Sequence, residues 1–369
     1  MMQFWRTTRV ELRRIFKRKV FYVFLIVLVL VSFAVSGLAY YSTEVLLPRL
    51  EQQAKEYNEK HYGDDGGIDV TVGSPFNPDN MGNNSTTNAE KLEQLRVQNK
   101  MFEEMRLDKN PQYDELHAQR INDELVKLEQ ALNRKNLDPD AKYTGNFYES
   151  ENFLNAWSNL ARGPIYITLI FIALASILSL QVAGEFENGS IKFSVMKAGS
   201  RVSVLLAKFT AVVIVALIIQ ICNYLLHLFA NAIFFGWGDP SKTFIFAING
   251  QSYSVPLFAY TLILYAVSTF SLLMPLSLVL LFAVITRSNA GTITASLAIY
   301  MLLNSIVEAF VGNYKFLRYT PFVHMNLENN LISGVQVPGV SLCLSAGIAA
   351  LYFVIFLVLA TIIFKRKDI

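Results

Sequence analysis

The sequence contains few of the residues on which covalent cross-links and metal centres depend. Its two cysteines, Cys222 and Cys343, each lie inside an apolar run, so they provide no disulfide framework and no thiolate cluster. The four histidines, at positions 61, 117, 227 and 324, are scattered without metal-ligand spacing. We expect both cysteines to be small buried hydrophobic residues.

Charged residues are also scarce, at 17% of the chain, whereas hydrophobic residues make up 53%. An ordinary soluble domain is less apolar than this. About 20 apolar residues in a helix cross the ~30 Å bilayer core. The runs that reach about this length are 20–41, 164–183, 209–235, 256–285, 291–311 and 342–364. The sequence therefore predicts an all-α membrane protein with six transmembrane helices.

The first 19 residues carry seven Lys and Arg residues against Glu11 alone, with apolar residues between them. This pattern predicts a basic amphipathic helix that lies on the membrane surface and leads into a first span at 20–42. The residues expected at that surface are Trp5, Arg6, Arg9, Arg13 and Arg14. A cleaved signal peptide is the alternative, but the apolar run is long for one and its cleavage pattern is poor.

Residues 43–163 form a distinct acidic region, with a net charge of about −8 against +11 for the rest of the chain. Turn residues between 63 and 82 predict irregular structure. Two apolar stripes then predict a pair of amphipathic helices that meet at about 108–111. The stripes consist of Leu92, Leu95, Phe102 and Met105, and of Ile121, Leu125, Leu128 and Leu132. We expect a large, partly helical, water-exposed insertion between the first two spans.

Positive charge marks one end of the six predicted spans. Lys and Arg residues concentrate in the tail 1–19, in the segment 184–208 between spans 2 and 3, and at 365–367. Cytoplasmic segments of membrane proteins carry this excess. Both termini are therefore expected in the cytoplasm, with 43–163 on the outer side and the remaining spans in 164–369.

The segment 184–208 is the most informative polar stretch. Glu185 and Glu187 come directly out of a predicted membrane helix. A Gly-Ser turn and a short amphipathic stretch follow, and Arg201 and Lys208 come before the next span. A short loop held by helices at both ends can transmit a push from a cytoplasmic partner, although a solvated turn that only fixes topology has the same composition.

No catalytic motif is visible. Gly184 and Gly189 have the spacing of the glycines in a phosphate-binding loop, but Ser190 and Ile191 stand where Lys and Ser or Thr are required. Gly-x-Ser-x-Gly and His-Glu-x-x-His sequences are also lacking. The chain is therefore not expected to hydrolyse nucleotide itself.

The order of features in 184–208 resembles the first cytoplasmic loop of ABC-2-type permeases of ATP-binding-cassette transporters. There a Glu, a Gly-Ser/Thr turn, a short helix, an Arg and a Lys follow one another. The basic N-terminal helix resembles the family's elbow helix, 286–291 its second cytoplasmic loop, and 319–322 the segment before its last span. Ala198 stands where a proline is common, and the 43–163 insertion replaces the short loop of compact members.

This resemblance implies a coupling helix near 185–200 that contacts a separate ATPase. The residues it assigns to ATPase coupling are Glu185, Glu187, Gly189, Ser190, Ile191, Lys192 and Arg201. It also implies an ATPase dimer that binds ATP and magnesium, a second identical or related permease subunit, and no cofactor on this chain.

Polar side chains inside the spans are possible parts of a translocation path, because burying them in lipid is costly. Four share a face of the third span at 3-4-4 spacing, and two lie four residues apart in the fifth. They are Gln220, Asn223, His227, Asn231, Asn304 and Glu308. A path lining, a polar contact between subunits and ordinary hydrogen bonding between helices all fit this pattern.

We therefore expect a permease subunit that exports a lipid, an amphipathic peptide or an antimicrobial compound across a bacterial plasma membrane. Its partners would be the ATPase, a second permease and membrane lipid, without nucleic acid. Sodium extrusion is the alternative within transport. A sensor or scaffold whose outer region 43–163 binds a ligand is the alternative from another class.

Overall fold

The computed structural model describes all of the apolar helices and part of the acidic region. The described residues are 2–46, 48–49, 52–53, 86–110, 113–134, 137–140, 143, 155–163, 166–198, 200–311 and 314–366. The segment 63–82, for which irregular structure was predicted, lies outside them.

Within these residues, six helical segments are long and apolar enough to cross a membrane, as the sequence predicts. They are Lys19–Leu46, Ile167–Glu187, Arg201–Phe235, Leu257–Thr286, Asn289–Val307 and Leu342–Arg366. The third shows the largest difference from prediction, since it starts at Arg201 rather than at 209. The Ser200 side chain accepts a hydrogen bond from the Ser203 N–H and caps the helix at this earlier position.

Shorter elements connect the spans, and the described part of the chain is mostly helical. In chain order the helices are α1 Met2–Lys17, α2 Lys19–Tyr40, α3 Asn88–Leu107, α4 Glu115–Asn133, α5 Ala156–Ala161, α6 Ile167–Glu187, α7 Ile191–Ala198, α8 Arg201–Phe235, α9 Leu257–Ser271, α10 Leu273–Thr286, α11 Asn289–Ala298, α12 Asn304–Phe310, α13 Asn329–Ile332 and α14 Leu342–Arg366. Strands β1 (Thr243–Ile248) and β2 (Gln251–Pro256) lie between α8 and α9. Single π-helical turns extend α2 and α11, and two short 3₁₀ turns follow α12.

Spans 2, 3 and 4 form the centre of the bundle, and spans 1, 5 and 6 surround them. More than half of the most apolar stretch is buried in each central span, against less than a third in each outer span. The outer spans therefore keep large apolar faces for lipid or another subunit. Cys343 is exposed on α14, so the expectation that both cysteines are buried was wrong for it.

Span 4 is broken near its middle. Helix α9 ends at Ser271 and α10 begins at Leu273, with Pro275 in the first turn of α10. Proline lacks a backbone N–H and its ring crowds the carbonyl four residues earlier, which is the carbonyl of Ser271. The break therefore lies where this proline requires it.

The segment 236–255, read from the sequence as a short loop, contains a β-hairpin. Strands β1 and β2 pair antiparallel through Ile248 and Gln251, with Asn249 and Gly250 as the two turn residues. Both turn residues have positive φ, 54° and 74°, as a type I′ turn requires. The predominantly helical fold is confirmed, and this hairpin is its one described sheet.

Helices α3 and α4 form the predicted helical pair. Thr87 caps α3 with a reciprocal capping box, and Asp114 caps α4. Leu95 and Leu128 are buried between the two helices, and Ile245 of β1 joins the same apolar cluster. We call α3, α4, the β-hairpin and residues 314–341 the hairpin end of the bundle.

The opposite end carries α1, α7, the turn 287–288 and the last residues of α14, and we call it the basic end. The hairpin end collects the connections between spans 1 and 2, 3 and 4, and 5 and 6. Arg318 pairs with Glu115 at 2.8 Å, and the Gly250 N–H donates to Asp123 at 2.7 Å. These contacts agree with six alternating spans.

Residues 314–341 also reach back between the spans. The Tyr260 hydroxyl donates to the Leu331 carbonyl at 3.1 Å, and the Ser271 hydroxyl donates to Glu328 at 2.6 Å. Tyr260 and Ser271 are three turns apart on α9, about 16 Å along its axis. The segment therefore lies against span 4 from its first turn at the hairpin end to its break.

Candidate functional site at the basic end

The site begins where α6 leaves the bundle. The helix continues past its apolar part and ends at Glu187, so Glu185 and Glu187 occupy its last turn. Gly189 follows with φ of 66°, a left-handed conformation that glycine adopts without strain. This turn reverses the chain into α7, which is the short helix predicted for coupling.

Glu185 belongs to a cluster of four charged side chains, which we call the ion cluster; three are largely buried and the fourth, Arg14, is 45% exposed. Its Oε1 lies 2.8 Å from Lys208 Nζ and 3.1 Å from Arg14. Glu11 lies 3.3 Å from the same Lys208 Nζ and 3.1 Å from Arg14. The Lys208 side chain has no solvent exposure and that of Glu11 has 4%. Two carboxylates and two cations balance one another, which is the condition under which charges remain stable in a protein interior.

The ion cluster joins three helices, and a hydrogen bond connects it to a fourth. Glu11 and Arg14 come from α1, Glu185 from α6 and Lys208 from α8. The Ser194 hydroxyl of α7 donates to Glu185 Oε2 at 2.9 Å. One hydrogen bond and one set of ion pairs therefore connect α7 to α1 and α8.

The two faces of α7 differ. Ile191 is buried in the main core, and Ser194 faces the ion cluster. Phe193 and Met196 point away from the bundle and are 65% and 69% exposed. Lys192 is also exposed. Two large apolar side chains three residues apart on a helix form one patch. A patch of this kind on an anchored helix is typical of a protein docking surface.

Glu187 makes a second connection. Its Oε1 accepts a hydrogen bond from the Asn289 N–H at 2.8 Å, at the start of α11. The Ser179 hydroxyl of α6 donates to the Asn289 side chain at 2.8 Å. The Arg287 guanidinium lies over the Phe186 ring at 5.4 Å. The end of span 2 therefore holds the turn between spans 4 and 5.

Arg201 lies in the first turn of α8, close to the end of the last span. Its guanidinium donates to the Lys365 carbonyl at 3.4 Å. Phe186 and Phe364 form an edge-to-face ring pair in the same region. The predicted coupling residues thus lie at one end of the bundle, where they connect the ends of several spans.

The residues predicted at the membrane surface divide into two groups. Trp5, Arg6, Arg9 and Arg13 are exposed along one side of α1, while Thr8, Glu11 and Ile15 face the bundle. Arg14 is 45% exposed, and its guanidinium also pairs with Glu11 and Glu185 in the ion cluster. Contact of all five residues with lipid stays a prediction.

The polar residues predicted on α8 are buried inside the subunit. Gln220 donates to the Ser268 hydroxyl at 2.8 Å, and His227 Nδ1 lies 2.9 Å from the Tyr265 hydroxyl. Asn231 accepts a hydrogen bond from the Ser36 hydroxyl at 3.1 Å. These contacts tie α8 to α9 and α2 and agree with the interpretation as hydrogen bonding between helices.

The other three residues predicted for a translocation path form no described hydrogen bond between helices. The Asn223 side chain is fully buried, and neither of its polar atoms has a partner within the part of the chain that the structure describes. Asn304 and Glu308 lie on α12, and their side chains fall outside the described residues. A role of these three in a translocation path stays a prediction.

Two members of the site were missed by the sequence analysis. Glu11 was treated only as the one acid among seven bases, and Ser194 as part of an amphipathic stretch. The sequence offered a clue to Glu11, because a single acidic residue among seven basic ones suggests that it pairs with a particular cation. Among the described residues no group of three His, Cys, Asp or Glu side chains is placed to hold a metal ion.

Six membrane-crossing helices with a polar, interlinked loop region at one end define a multi-pass membrane protein. A family model described as ABC-2 family transporter protein matches residues 5–369. The chain therefore belongs to the ABC-2 transporter family, whose members are transmembrane subunits and not themselves catalytic. This confirms the family inferred from the motif residues.

The chain is also similar to a protein of Bacillus subtilis (strain 168) named uncharacterized protein YhcI. The two are 22% identical over 222 residues, which span 60% of this chain and 71% of the relative. The relative's name states no substrate, so the comparison supports the family and leaves the cargo open.

Proposed function

We propose that this chain is the permease subunit of an exporter driven by a separate ATPase that docks on α7. The observation that carries the proposal is the outward Phe193–Met196 patch on a helix whose other face is fixed by Ile191 and Ser194. Family membership supports a partner ATPase, because the permease family is not itself catalytic.

The contacts suggest how movement passes from the ATPase to the spans. Displacement of α7 acts through Ser194 on Glu185, and from there through the ion cluster on α1 and α8. Glu187 carries the same displacement to α11 through the Asn289 N–H. Two linked routes therefore reach spans 3 and 5, so these spans move together when α7 is pushed.

The excess of Lys and Arg supports a cytoplasmic location of the basic end, where an ATPase has access to ATP and magnesium. The hairpin end would then face outward, and α1 would lie at the inner membrane surface as an elbow helix. The exposed apolar faces of spans 1, 5 and 6 offer room for a second permease subunit. The cargo would cross along that contact.

An amphipathic cargo, such as a lipid, a peptide or an antimicrobial compound, fits this arrangement best. Gln220, His227 and Asn231 already hydrogen-bond to neighbouring helices. Gln220 Oε1 and Asn223 Oδ1 have no hydrogen-bond partner among the described residues and remain available to an ion. Sodium extrusion needs a longer series of oxygen ligands through the membrane and has less support for this reason.

The test is co-purification of the permease with an ATPase encoded at the same locus, followed by an ATP hydrolysis assay. The variant Phe193→Ala/Met196→Ala should retain at least tenfold less ATPase, because central apolar anchors contribute most of an interface's binding energy. Phe316→Ala is the matched control, since Phe316 is 69% exposed but lies at the hairpin end.

Equal ATPase retention by the double variant would remove α7 as the docking surface. If the wild-type protein retains no ATPase in mild detergent, the sensor or scaffold function becomes the better description. Ligand binding by the full-length chain would then be the next measurement.

A further inference from the structure

Glu328 is a buried acidic side chain for which the permease function gives no role. It is 2% exposed and lies in the segment that reaches from the hairpin end to the break of span 4. No cationic side chain among the described residues pairs with it. A carboxylate without a cationic partner is costly inside a membrane protein, and acids kept in such places commonly serve the movement of protons or ions. Glu328 therefore requires an explanation other than packing.

The side-chain hydrogen bond of Glu328 reaches a hydroxyl group at the break. Ser271 Oγ lies 2.6 Å from Glu328 Oε2, and Ser271 is fully buried. Ser271 is the last residue of α9, and only Leu272 separates it from α10. Span 4 runs from Leu257 to Thr286, so this contact lies about midway along the span.

The number of protons at this contact favours a neutral carboxyl. Ser271 has one hydroxyl proton, and its Oγ also lies 3.1 Å from the Ser268 carbonyl oxygen. If Glu328 is ionised, the serine proton is donated to Oε2 and the Ser268 carbonyl loses it. If Glu328 is protonated, its own O–H donates to Ser271 Oγ, and the serine proton is donated to the Ser268 carbonyl. The neutral state therefore makes both hydrogen bonds and buries no charge.

The chain on either side of Glu328 is held to the bundle by neutral groups. The Tyr300 hydroxyl of span 5 donates to Asn326 Oδ1 at 3.1 Å, and the Tyr260 hydroxyl of α9 donates to the Leu331 carbonyl at 3.1 Å. These bonds do not depend on the charge of Glu328. They place its carboxyl against the break, and the bond to Ser271 is the contact that ionisation of Glu328 would change.

The spans around this contact offer few other groups that change charge near neutral pH. Helix α10 has no ionisable side chain, and those of α9 and of span 5 are tyrosines, which stay neutral there. Helix α14 carries Lys365 and Arg366 in its last turn at the basic end, and its Cys343 is exposed. Span 3 carries His227, whose Nδ1 contacts the Tyr265 hydroxyl.

The segment 314–341 itself contributes two further ionisable side chains close to Glu328 in sequence. Arg318 pairs with Glu115, and His324 Nε2 lies 2.9 Å from the Arg318 carbonyl oxygen. His324 is buried and only four residues from Glu328. It is therefore the neighbour that an experiment has to separate from Glu328.

We propose that Glu328 is a proton-binding site that holds the segment 314–341 on the break of span 4. The seated segment carries the neutral carboxyl. When the segment leaves the break, water reaches the carboxyl, which ionises and gives its proton to that water. A broken helix bends at its break. Movement of span 4 at this point is therefore linked to the uptake or release of one proton.

This inference goes beyond the permease function, and its test needs no ATPase. The first measurement is the infrared absorption of the full-length protein at pH 7 in dodecyl maltoside, which has no carbonyl group. A protonated carboxyl gives a C=O stretching band apart from those of carboxylates and amides. Glu328→Gln is neutral and keeps a donor and an acceptor for Ser271. We expect one carboxyl band of the wild type to be missing from Glu328→Gln and retained in the matched control His324→Gln.

The second measurement is amide hydrogen exchange of residues 326–332 between pH 5 and pH 9. Dividing the wild-type rate by the rate of Glu328→Gln at the same pH removes the intrinsic pH dependence of exchange. Because the seated state holds one more proton than the released state, this ratio should rise about tenfold per pH unit above about 4.3, the usual value for Glu, until the seated carboxyl ionises. His324→Gln should show the same rise as the wild type.

A wild-type spectrum without a carboxyl band that depends on Glu328, or a rate ratio that stays constant with pH, would overturn the proposal. If Glu328→Gln does not accumulate, Ser271→Ala takes its place. This variant removes the hydroxyl that accepts the carboxyl proton, so the carboxyl band should move to higher frequency and residues 326–332 should exchange faster. An unmoved band in Ser271→Ala would also overturn the proposal.

Discussion

At the basic end, three buried charged side chains and the partly exposed Arg14 pair with one another, whereas at the hairpin end side chains of α4 bond to backbone groups of two distant loops. Removing a buried member of the ion cluster leaves the remaining charges unbalanced in a poorly solvated place. Replacing a side chain that bonds to backbone can preserve the bond if the new group is an acceptor or donor of similar shape. The basic end should therefore be the less tolerant of substitution.

The largest effect is expected from Lys208→Met, which leaves two buried carboxylates against one cation. We expect a loss of about 3–5 kcal/mol of unfolding free energy or failure to accumulate as a monodisperse protein. Chemical denaturation in detergent measures this. Glu11→Gln/Lys208→Met removes one charge of each sign and should recover part of the loss. If the unfolding free energy of Lys208→Met alone lies within about 1 kcal/mol of the wild-type value, the basic end is not the less tolerant of substitution.

Arg318→Gln tests the ion pair that joins α4 to the segment 314–341 at the hairpin end. Arg318 is mostly buried, but its partner Glu115 keeps contact with solvent and can be hydrated when the pair is lost. The expected loss is about 1 kcal/mol, smaller than that at the ion cluster. Denaturation of Arg318→Gln and of Lys208→Met under the same conditions shows which end loses more unfolding free energy. A larger loss for Arg318→Gln would contradict the expected order.

Glu187→Ala separates stability from coupling at the basic end. Glu187 is exposed, so loss of its hydrogen bond to Asn289 should cost only about 0.5–1 kcal/mol. ATP hydrolysis by the co-purified ATPase should nevertheless lose its response to the permease, because the route to α11 is broken. Glu187→Gln keeps the acceptor and is the control. Normal stimulation in the alanine variant would limit coupling to the ion cluster.

The smallest effect is the pH dependence of Asp123. Its folded-state pKa is raised, so the folded state holds this proton more tightly than the unfolded state does. The resulting stability is fully present below the unfolded pKa and is lost as pH rises through the folded pKa. Asp123→Asn, which has no such proton, should therefore gain stability relative to the wild type between pH 4 and pH 7. Melting curves at both pH values check this, and a constant difference would exclude titration of Asp123.

Local patterns predicted the spans well, because long apolar runs and positive charge each act within a short stretch of sequence. The sequence also identified 184–208 as a polar segment at one end of the spans, since Glu185, Arg201 and Lys208 follow one another there, and its role in coupling stays a prediction. That Lys208 is buried could not be seen, because its partner Glu11 lies almost two hundred residues away in the chain. A contact between residues so far apart in the chain produces no repeating pattern in the sequence.

The β-hairpin shows a different limit. Asn249-Gly250 is a strong type I′ turn signal, but β1 is an apolar hexamer close to a membrane span and lacks clear alternation. Its burial depends on Ile245 joining the cluster under α4, which is a tertiary contact. The hydrogen bonds of α4 to Gly250 and to residues 335–339 were unpredictable for the same reason, since they join distant stretches of the chain.

The contact between α4 and Val335 has a consequence for biosynthesis. Arg120 and the Val335 carbonyl are 215 residues apart in the chain. At the usual rate of about 5–20 residues per second, a ribosome needs roughly 10–40 s to produce the second group after the first. Helices α3 and α4 are therefore made, and span 2 to span 5 delivered to the membrane, before their last partner exists. During that interval the nascent hairpin end is incomplete, which makes it the natural target for chaperones and quality-control proteases on its side of the membrane.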